Sequence, residues 1–547
     1  MAVESDRIPN EAKPPTQSLY TRNSTGFVRE LKLLDQITYS WTASTPLVGG
    51  LIISWFLLVS FPRVNMLVAI ILAGIVSSFV WMTFALLTAT LPKTGGDYVF
   101  NSRILSAPVG FGINLCVIVA MPLTVGVASS WMATLALSPT FAVMGFVTGS
   151  KTLTNWGNFF AADHHTVVFV TAALTIIAVG ALAMLGTRLV VRTMSILVCI
   201  FGFAWVVALV ILLIAGHSSF IGQFNHYAGA GAYNRVVHAG AGKGLYPSEG
   251  GYSSGGTIGS MFQILGVCIF CMYGTYIAAE TRRARQRATM VKSLVGAGSL
   301  QIIAMVITIL IFYAAVGQHF FISATAGNLG LSNNINLASF VFLAAIGAHA
   351  KVLTVILAFC FLLWVPPLVH CFMAVCQRGL FAYSFDRLLP SRVAEVNERT
   401  HTPVVAISIT VLLSIGCAAW AAYSTTYVTV LETETLLAFV ALVGAGLSGI
   451  VMARRRPDLY KGSPADWHPF GIPVLLISGI GATLAVVFGF VDLLVWHTNY
   501  AITHIVWTAI APFVVFGVGV VWWYLARARR RKEGIDLDLI YKSIPPD

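Results

Sequence analysis

The stretch Trp41-Thr42-Ala43-Ser44-Thr45-Pro46-Leu47-Val48-Gly49-Gly50 is a polar, proline-containing interruption inside the first long apolar run of the chain. In lipid, a helix breaks only where the freed backbone groups are buried in protein or line a cavity, so an interruption here needs a purpose. Thr45 before Pro46 reads as an N-cap followed by the first position of a new half-helix. Proline also drives Thr45 out of the α region, which separates the half-helix from what precedes it. The amides of Leu47, Val48 and Gly49 then point into the break with the positive end of the helix dipole behind them. That arrangement suits an anionic group such as a carboxylate. The same residues also fit a plain proline kink lined with small side chains, a frequent feature of packed membrane helices.

Around this stretch the composition fixes the class. The chain has 547 residues, of which 57% are hydrophobic and 10% charged, and its mean hydropathy is +0.83. A soluble domain of this length would not carry that balance, so the chain reads as a polytopic membrane protein. Residues Met1 to Leu33 are polar, include Pro14 and Pro15, and lack the short apolar core of a cleaved signal peptide; they read as a cytoplasmic tail. The cysteines Cys116, Cys199, Cys268, Cys271, Cys360, Cys371, Cys376 and Cys417 all fall in apolar segments without metal-ligand spacing. They read as small packing residues, with neither a disulfide framework nor a zinc site indicated.

Apolar runs long enough to span a bilayer fall near 36–61, 66–90, 108–137, 166–185, 193–215, 257–279, 293–316, 352–377, 403–423, 434–452, 473–494 and 504–526. That predicts twelve helices and both termini on one side. The short apolar segment Asn336 to Ala348 reads as a helix lying on the outer surface before the eighth span. Basic residues are concentrated on the alternate loops that share a side with the termini. All but Arg63, Lys151, Arg235, Lys243 and Lys351 of the 33 Lys and Arg fall there, which makes that side cytoplasmic by the positive-inside rule and the location a cell membrane. The bias also accounts for the net charge of +12 without nucleic acid. Arg454-Arg455-Arg456 and Arg529-Arg530-Arg531-Lys532 read as topology anchors facing anionic membrane lipid.

Two outer loops are long. His217 to Gly256 is rich in Gly and Ser and reads as a flexible, solvated linker, and Ser138 to His165 as a loop packed on the outer vestibule. Within the latter, Asp163, His164 and His165 lack a third spaced ligand and make a poor metal site. No nucleophile elbow, phosphate-cradling glycine loop, H-E-x-x-H motif or carboxylate pair on one helix face is present, so neither a catalytic residue nor a cofactor is expected. The ionisable groups inside apolar runs are Asp492, His370, Glu432 and Glu434. Each is a functional candidate by default, because a charge in lipid is expensive. Glu432 and Glu434, at the outer start of the tenth run, read as lying in interfacial water, and His370, after Pro366-Pro367, as bonding a carbonyl freed by that pair.

Four motifs carry a family resemblance. Leu91-Pro92-Lys93-Thr94-Gly95-Gly96-Asp97-Tyr98-Val99-Phe100 resembles the P-x-x-G-G-x-Y-x-aromatic signature of the amino acid/polyamine/organocation superfamily of permeases. Physically, the paired glycines permit a tight turn that Tyr98 and Phe100 dock against the bundle. Gly274-Thr275-Tyr276-Ile277-Ala278-Ala279-Glu280-Thr281-Arg282-Arg283 resembles the end of that family's sixth helix. The run from Gln377 to Pro390, followed by Thr402-Pro403, is similar to its segment after helix eight. Arg456-Pro457-Asp458-Leu459-Tyr460, followed by Phe470-Gly471-Ile472-Pro473, is similar to its link from helix ten to eleven.

The resemblance implies an all-α membrane protein with a leucine-transporter-like fold: two inverted five-helix repeats, helices one and six broken at mid-membrane, and two peripheral helices. The corresponding division is a tail 1–33, a first repeat 34–215, an outer loop 216–256, a second repeat 257–452, peripheral helices 453–526 and a basic tail 527–547. The second break would be Ile269-Phe270-Cys271-Met272-Tyr273-Gly274, where Gly274 interrupts the helix. For an amino acid or related amine, Ala43, Ser44, Thr45 and the amides of Leu47, Val48 and Gly49 would meet the carboxylate. Carbonyls near Phe270, Cys271 and Met272 would meet the ammonium, with Phe270, Met272, Tyr273 and Thr124 shaping the pocket; the alternative for the aromatic residues is core or lipid-facing packing.

The chain departs from the family in three places. Ser44-Thr45-Pro46 replaces a glycine pair at the first break. The fifth run, Thr193 to Ala215, has no lysine of the kind some proton-coupled relatives use, and Val355 to Leu368 lacks the hydroxyls of sodium-coupled relatives. Exchange of solutes, uniport and a coupling proton held elsewhere therefore all remain open. The reading is a permease that moves amino acids or related amines; a polyamine or organic cation exchanger and an amino-acid-binding membrane sensor are its alternatives.

Overall fold

The computed structural model describes residues 29–44, 60–245, 251–325, 340–348, 351–424, 427–499 and 504–542, with Leu58 and Ile502. Among the described residues every regular element is a helix, apart from one isolated bridge pairing Leu31 with Thr281. In chain order the helices used below are α1 (Leu33–Ala43), α2 (Met66–Thr90), α3 (Asp97–Ile104), α4 (Ala107–Thr148), α5 (Lys151–Phe159) and α6 (His165–Met184). They continue as α7 (Thr187–Ala228), α8 (Ala232–Gly242), α9 (Ser254–Glu280), α10 (Arg287–Ala324), α11 (Phe340–Ala348) and α12 (Val352–Phe385). The last are α13 (Val404–Tyr423), α14 (Tyr427–Arg455), α15 (Val474–Trp496), α16 (Ile505–Lys532) and α17 (Leu537–Lys542).

Eleven of these are long and apolar enough to cross a bilayer, matching the second to twelfth runs read from the sequence. The first run is described only as α1, which stops at Ala43, where the polar interruption begins. Burial ranks the spans. In α9 and α4, 94% and 89% of the most apolar window is buried, against 28% in α13 and 17% in α16. The former are therefore central and α13 and α16 peripheral. Large apolar side chains such as Phe203, Ile214, Leu412, Leu484 and Trp507 are exposed on the outer helix faces, as they can be where the surrounding solvent is hydrocarbon.

At the basic face, the turn between α2 and α3 shows why two glycines are needed. Gly95 and Gly96 have φ of 105° and 55°. A Cβ on Gly95 would lie 2.6 Å from Cβ of Ala382, and one on Gly96 would lie 2.7 Å from the Tyr276 ring. Left-handed backbone and backbone-to-ring contact together leave no room for a side chain. Tyr98 and Phe100 are fully buried beneath the turn.

Two expectations change. The segment from His217 is no solvated linker as far as Leu245: α7 continues to Ala228 across a kink at Gly216, and α8 follows. Phe220 and Phe224, one helical turn apart, are buried with Tyr233, and Phe224 and Tyr233 hold the Phe320 ring at 4.9 and 4.6 Å. The glycine and serine content masked that apolar stripe. Between Ser138 and His165, α4 extends to Thr148 through a π-helical turn at Met132–Leu137, and α5 folds back on it, with Ser138 Oγ donating to the Gly157 carbonyl at 2.8 Å. In α11, Phe342, Leu343, Ala344 and Ile346 are buried, and Phe342 packs on Phe146 near the end of α4 and Phe224 near the end of α7.

Candidate functional site

The end of α1 meets the middle of α9. Ala43 and Ser44 are fully buried, and Ser44 Oγ donates to the Trp41 carbonyl at 2.7 Å, which closes the helix. Ser44 lies near Cys271 of α9, and Gln36 of α1 donates to the Gly274 carbonyl of the same stretch at 2.6 Å. Two interruptions separated by more than two hundred residues in the sequence are thus brought together. Of the other residues expected at the first break, Thr45, Leu47, Val48 and Gly49 lie outside the described residues.

Helix α9 is α-helical to Cys268 and then winds as a 3-10 helix over Ile269–Glu280. The change of winding shifts carbonyls from i+4 to i+3 partners, and side chains from other helices take two of them. Trp81 Nε1 donates to the Cys268 carbonyl at 2.9 Å, and Gln36 Nε2 donates to that of Gly274 at 2.6 Å. Gly274 does not break the helix as expected, since the 3-10 winding runs through it. Its role is steric: a Cβ there would lie 2.1 Å from Ser40 Oγ and 2.9 Å from Gln36 Nε2.

Phe270, Cys271, Met272 and Tyr273 are all buried, so none faces lipid. The Phe270 and Tyr273 rings stack at 5.4 Å, and Phe372 of α12 stands edge-on to both at 5.9 and 6.0 Å. Thr124 of α4 is buried too, and its hydroxyl donates to the Ala120 carbonyl at 3.0 Å with Glu434 nearby. This corrects the placement of the α14 acids. Glu432 and Glu434 are 1% and 2% exposed, covered by α4 and α9, and Gln263 Nε2 donates to Glu432. Sequence distance from the end of an apolar run did not register the helices packed over it.

His370 faces Tyr39 of α1 edge-on at 6.3 Å, and Tyr39 Oη donates to the Cys371 carbonyl at 2.9 Å. Neither His370 nitrogen has a hydrogen-bond partner among the described residues, so it does not take the carbonyl expected of it. Asp492 is buried in α15. Of the cysteines, Cys116, Cys268, Cys271, Cys371 and Cys376 are buried, whereas Cys199 is exposed rather than packed inside.

Toward the basic face the site is closed by buried polar groups that the motifs contributed without revealing their pairing. Asp97 accepts from Tyr276 Oη at 2.5 Å and Asn114 Nδ2 at 3.0 Å, and Tyr383 Oη donates to Asn114 at 2.7 Å. Burial pushes the Asp97 carboxyl up to about 6, against the opposing pull of these hydrogen bonds. Arg103 pairs with Asp386 at 2.7 Å, Tyr98 Oη donates to the same carboxylate at 2.8 Å, and Tyr541 of α17 meets Tyr98 at 2.6 Å. Arg378 of α12 grips Glu280 of α9 through two nitrogens at 2.8 and 2.6 Å. Thr281 donates to Gln36 at 2.5 Å, and the Leu31 amide donates to the Glu280 carbonyl at 3.0 Å. Three of the sequence motifs therefore converge on one another. Gln36, Asn114 and Tyr541 carried no signal in the sequence.

This arrangement is a buried meeting of the end of α1, the 3-10 stretch of α9, aromatic rings and carboxylates, bordered on one side by polar contacts. A family model described as amino acid permease matches residues 39–521. No curated protein matches the chain. With eleven helices among the described residues long and apolar enough to cross a bilayer and a match across nearly all of them, the chain belongs to the amino acid permeases of the amino acid/polyamine/organocation superfamily.

Proposed function

We propose that this permease carries an amino acid or related amine across the cell membrane by alternating access, with both tails and the basic face cytoplasmic. The observation that carries the reading is the meeting of α1 with the 3-10 stretch of α9, where Gln36 donates to the Gly274 carbonyl and Ser40 leaves no room for a side chain on Gly274. In that reading the carboxylate of the solute sits on Ser44, Thr45 and the amides after Pro46, and its α-ammonium on carbonyls near Phe270, Cys271 and Met272. Phe270, Met272, Tyr273 and Thr124 shape the side-chain pocket. The polar contacts around Asp97, Asp386 and Glu280 would have to open for the solute to reach the cytoplasm.

Uptake of a labelled panel of amino acids and amines into proteoliposomes tests this, with vesicles empty, preloaded with unlabelled solute, or under imposed proton or sodium gradients. One solute class should enter, and Thr45→Ala and Tyr273→Ala should each lower its kcat/KM by about tenfold or more. The condition that drives uptake identifies the coupling. Absence of flux for every solute from folded, reconstituted protein would remove the permease reading and favour a binding sensor.

A further inference from the structure

The carboxylates of Glu432 and Glu434 have an accounting problem. Both side chains are almost fully buried, yet Glu432 Oε2 and Glu434 Oε1 have no hydrogen-bond partner among the described residues. Gln263 Nε2 donates to Glu432, and the Thr124 hydroxyl, which donates to the Ala120 carbonyl, lies beside Glu434. Neither α2, α4 nor α9 carries a Lys or Arg within its span. A buried carboxylate without a cationic partner is among the most costly groups a membrane bundle can hold, and it persists where a cation is meant to visit.

Two further features bear on that cation. The Tyr273 hydroxyl, on a side chain 1% exposed, also has no hydrogen-bond partner among the described residues, and it lies within the electrostatic reach of Glu434. Each of these unsatisfied oxygens is an acceptor that an ammonium group can donate to. Phe270, stacked on Tyr273, and Phe372, edge-on to both, complete an aromatic cluster whose faces attract organic cations. Glu432 stands near Glu434, and its own hydrogen bond points to α9.

We propose that Glu434, Tyr273 and Thr124, walled by Phe270 and Phe372, form a subsite for an organic ammonium group in the side chain of the solute. The transported species is then a cationic amino acid or a diamine rather than a neutral amino acid. This rests on the permease reading above and adds its substrate class.

The test is the selectivity of the wild-type protein in proteoliposomes at neutral pH, read as competition by unlabelled lysine, ornithine, putrescine, leucine and glutamine and as direct uptake of each in labelled form. The cationic solutes should be preferred by about tenfold or more, the worth of a hydrogen bond to a charged group. Glu434→Gln, close to isosteric, should erase that preference, and Glu434→Asp should restore part of it. Preference of the wild type for leucine or glutamine overturns the proposal whatever the variants do. So does a Glu434→Gln protein that keeps its cation preference. Loss in Glu434→Gln of only proton- or sodium-driven accumulation, with selectivity intact, assigns the carboxylate to an inorganic coupling ion and also overturns it. Flux of no solute at all rejects the permease reading itself, an outcome distinct from these.

Discussion

Gly274 and Asp97 show how single positions set the limits of this site. Because Ser40 Oγ would sit 2.1 Å from a new Cβ, Gly274→Ala forces α1 and α9 apart at the point where they are meant to meet. The expected cost is about 1–3 kcal/mol of stability from overpacking, seen as a lower Tm in detergent, and Ser40→Gly in the same chain should recover part of it. Asp97 behaves differently, because its strain depends on pH. With its carboxyl pushed up to about 6, the folded chain holds this proton more tightly than the unfolded one. The stability this contributes is complete below the ordinary carboxylate range and is lost as pH rises through about 6. Asp97→Asn keeps an acceptor for Tyr276. It should therefore have the higher Tm above pH about 7, with the gap closing as pH falls toward about 4. A gap that stays constant across that range would show that Asp97 does not titrate as described.

At the scale of elements, the Glu280–Arg378 pair is an ionic contact joining α9 to α12, and its side chains are 3% and 4% exposed. A pair this deep adds little net stability, since both ions have left water, but removing one partner strands the other. Arg378→Met should cost about 3–5 kcal/mol, and Glu280→Gln added to it should recover a large part. Equilibrium unfolding of the two single variants and the double variant gives the coupling energy directly. Additive losses would mean that each side chain acts through other neighbours. The same two helices explain what the sequence could and could not reveal. Glu280, Arg378, Tyr383 and Asp386 all stood in recognisable motifs, yet nothing in linear spacing says that Glu280 meets Arg378 across 98 positions.

In the whole molecule, the spans were readable because length and hydropathy report directly on the solvent, which is lipid for one face of nearly every helix. The interruption after Ala43 and the change of winding at Ile269 were readable for a related reason: polar or glycine-bearing segments in an apolar run must be satisfied by something. What escaped was set by tertiary neighbours. Phe220 and Phe224 turned a glycine-rich segment into a packed helix, and α4 and α9 covered two glutamates that distance along the chain placed in water. The seal on the basic face has one more consequence. The chain draws Asp97, Arg103, Glu280, Arg378, Asp386 and Tyr541 out of solvent together, so parting them exposes several charges that only water can hydrate. Under the alternating access proposed above, opening that face would be a hydration reaction with water as a stoichiometric participant. Its equilibrium would then follow the osmotic pressure of the solution on that side as well as the concentration of the solute.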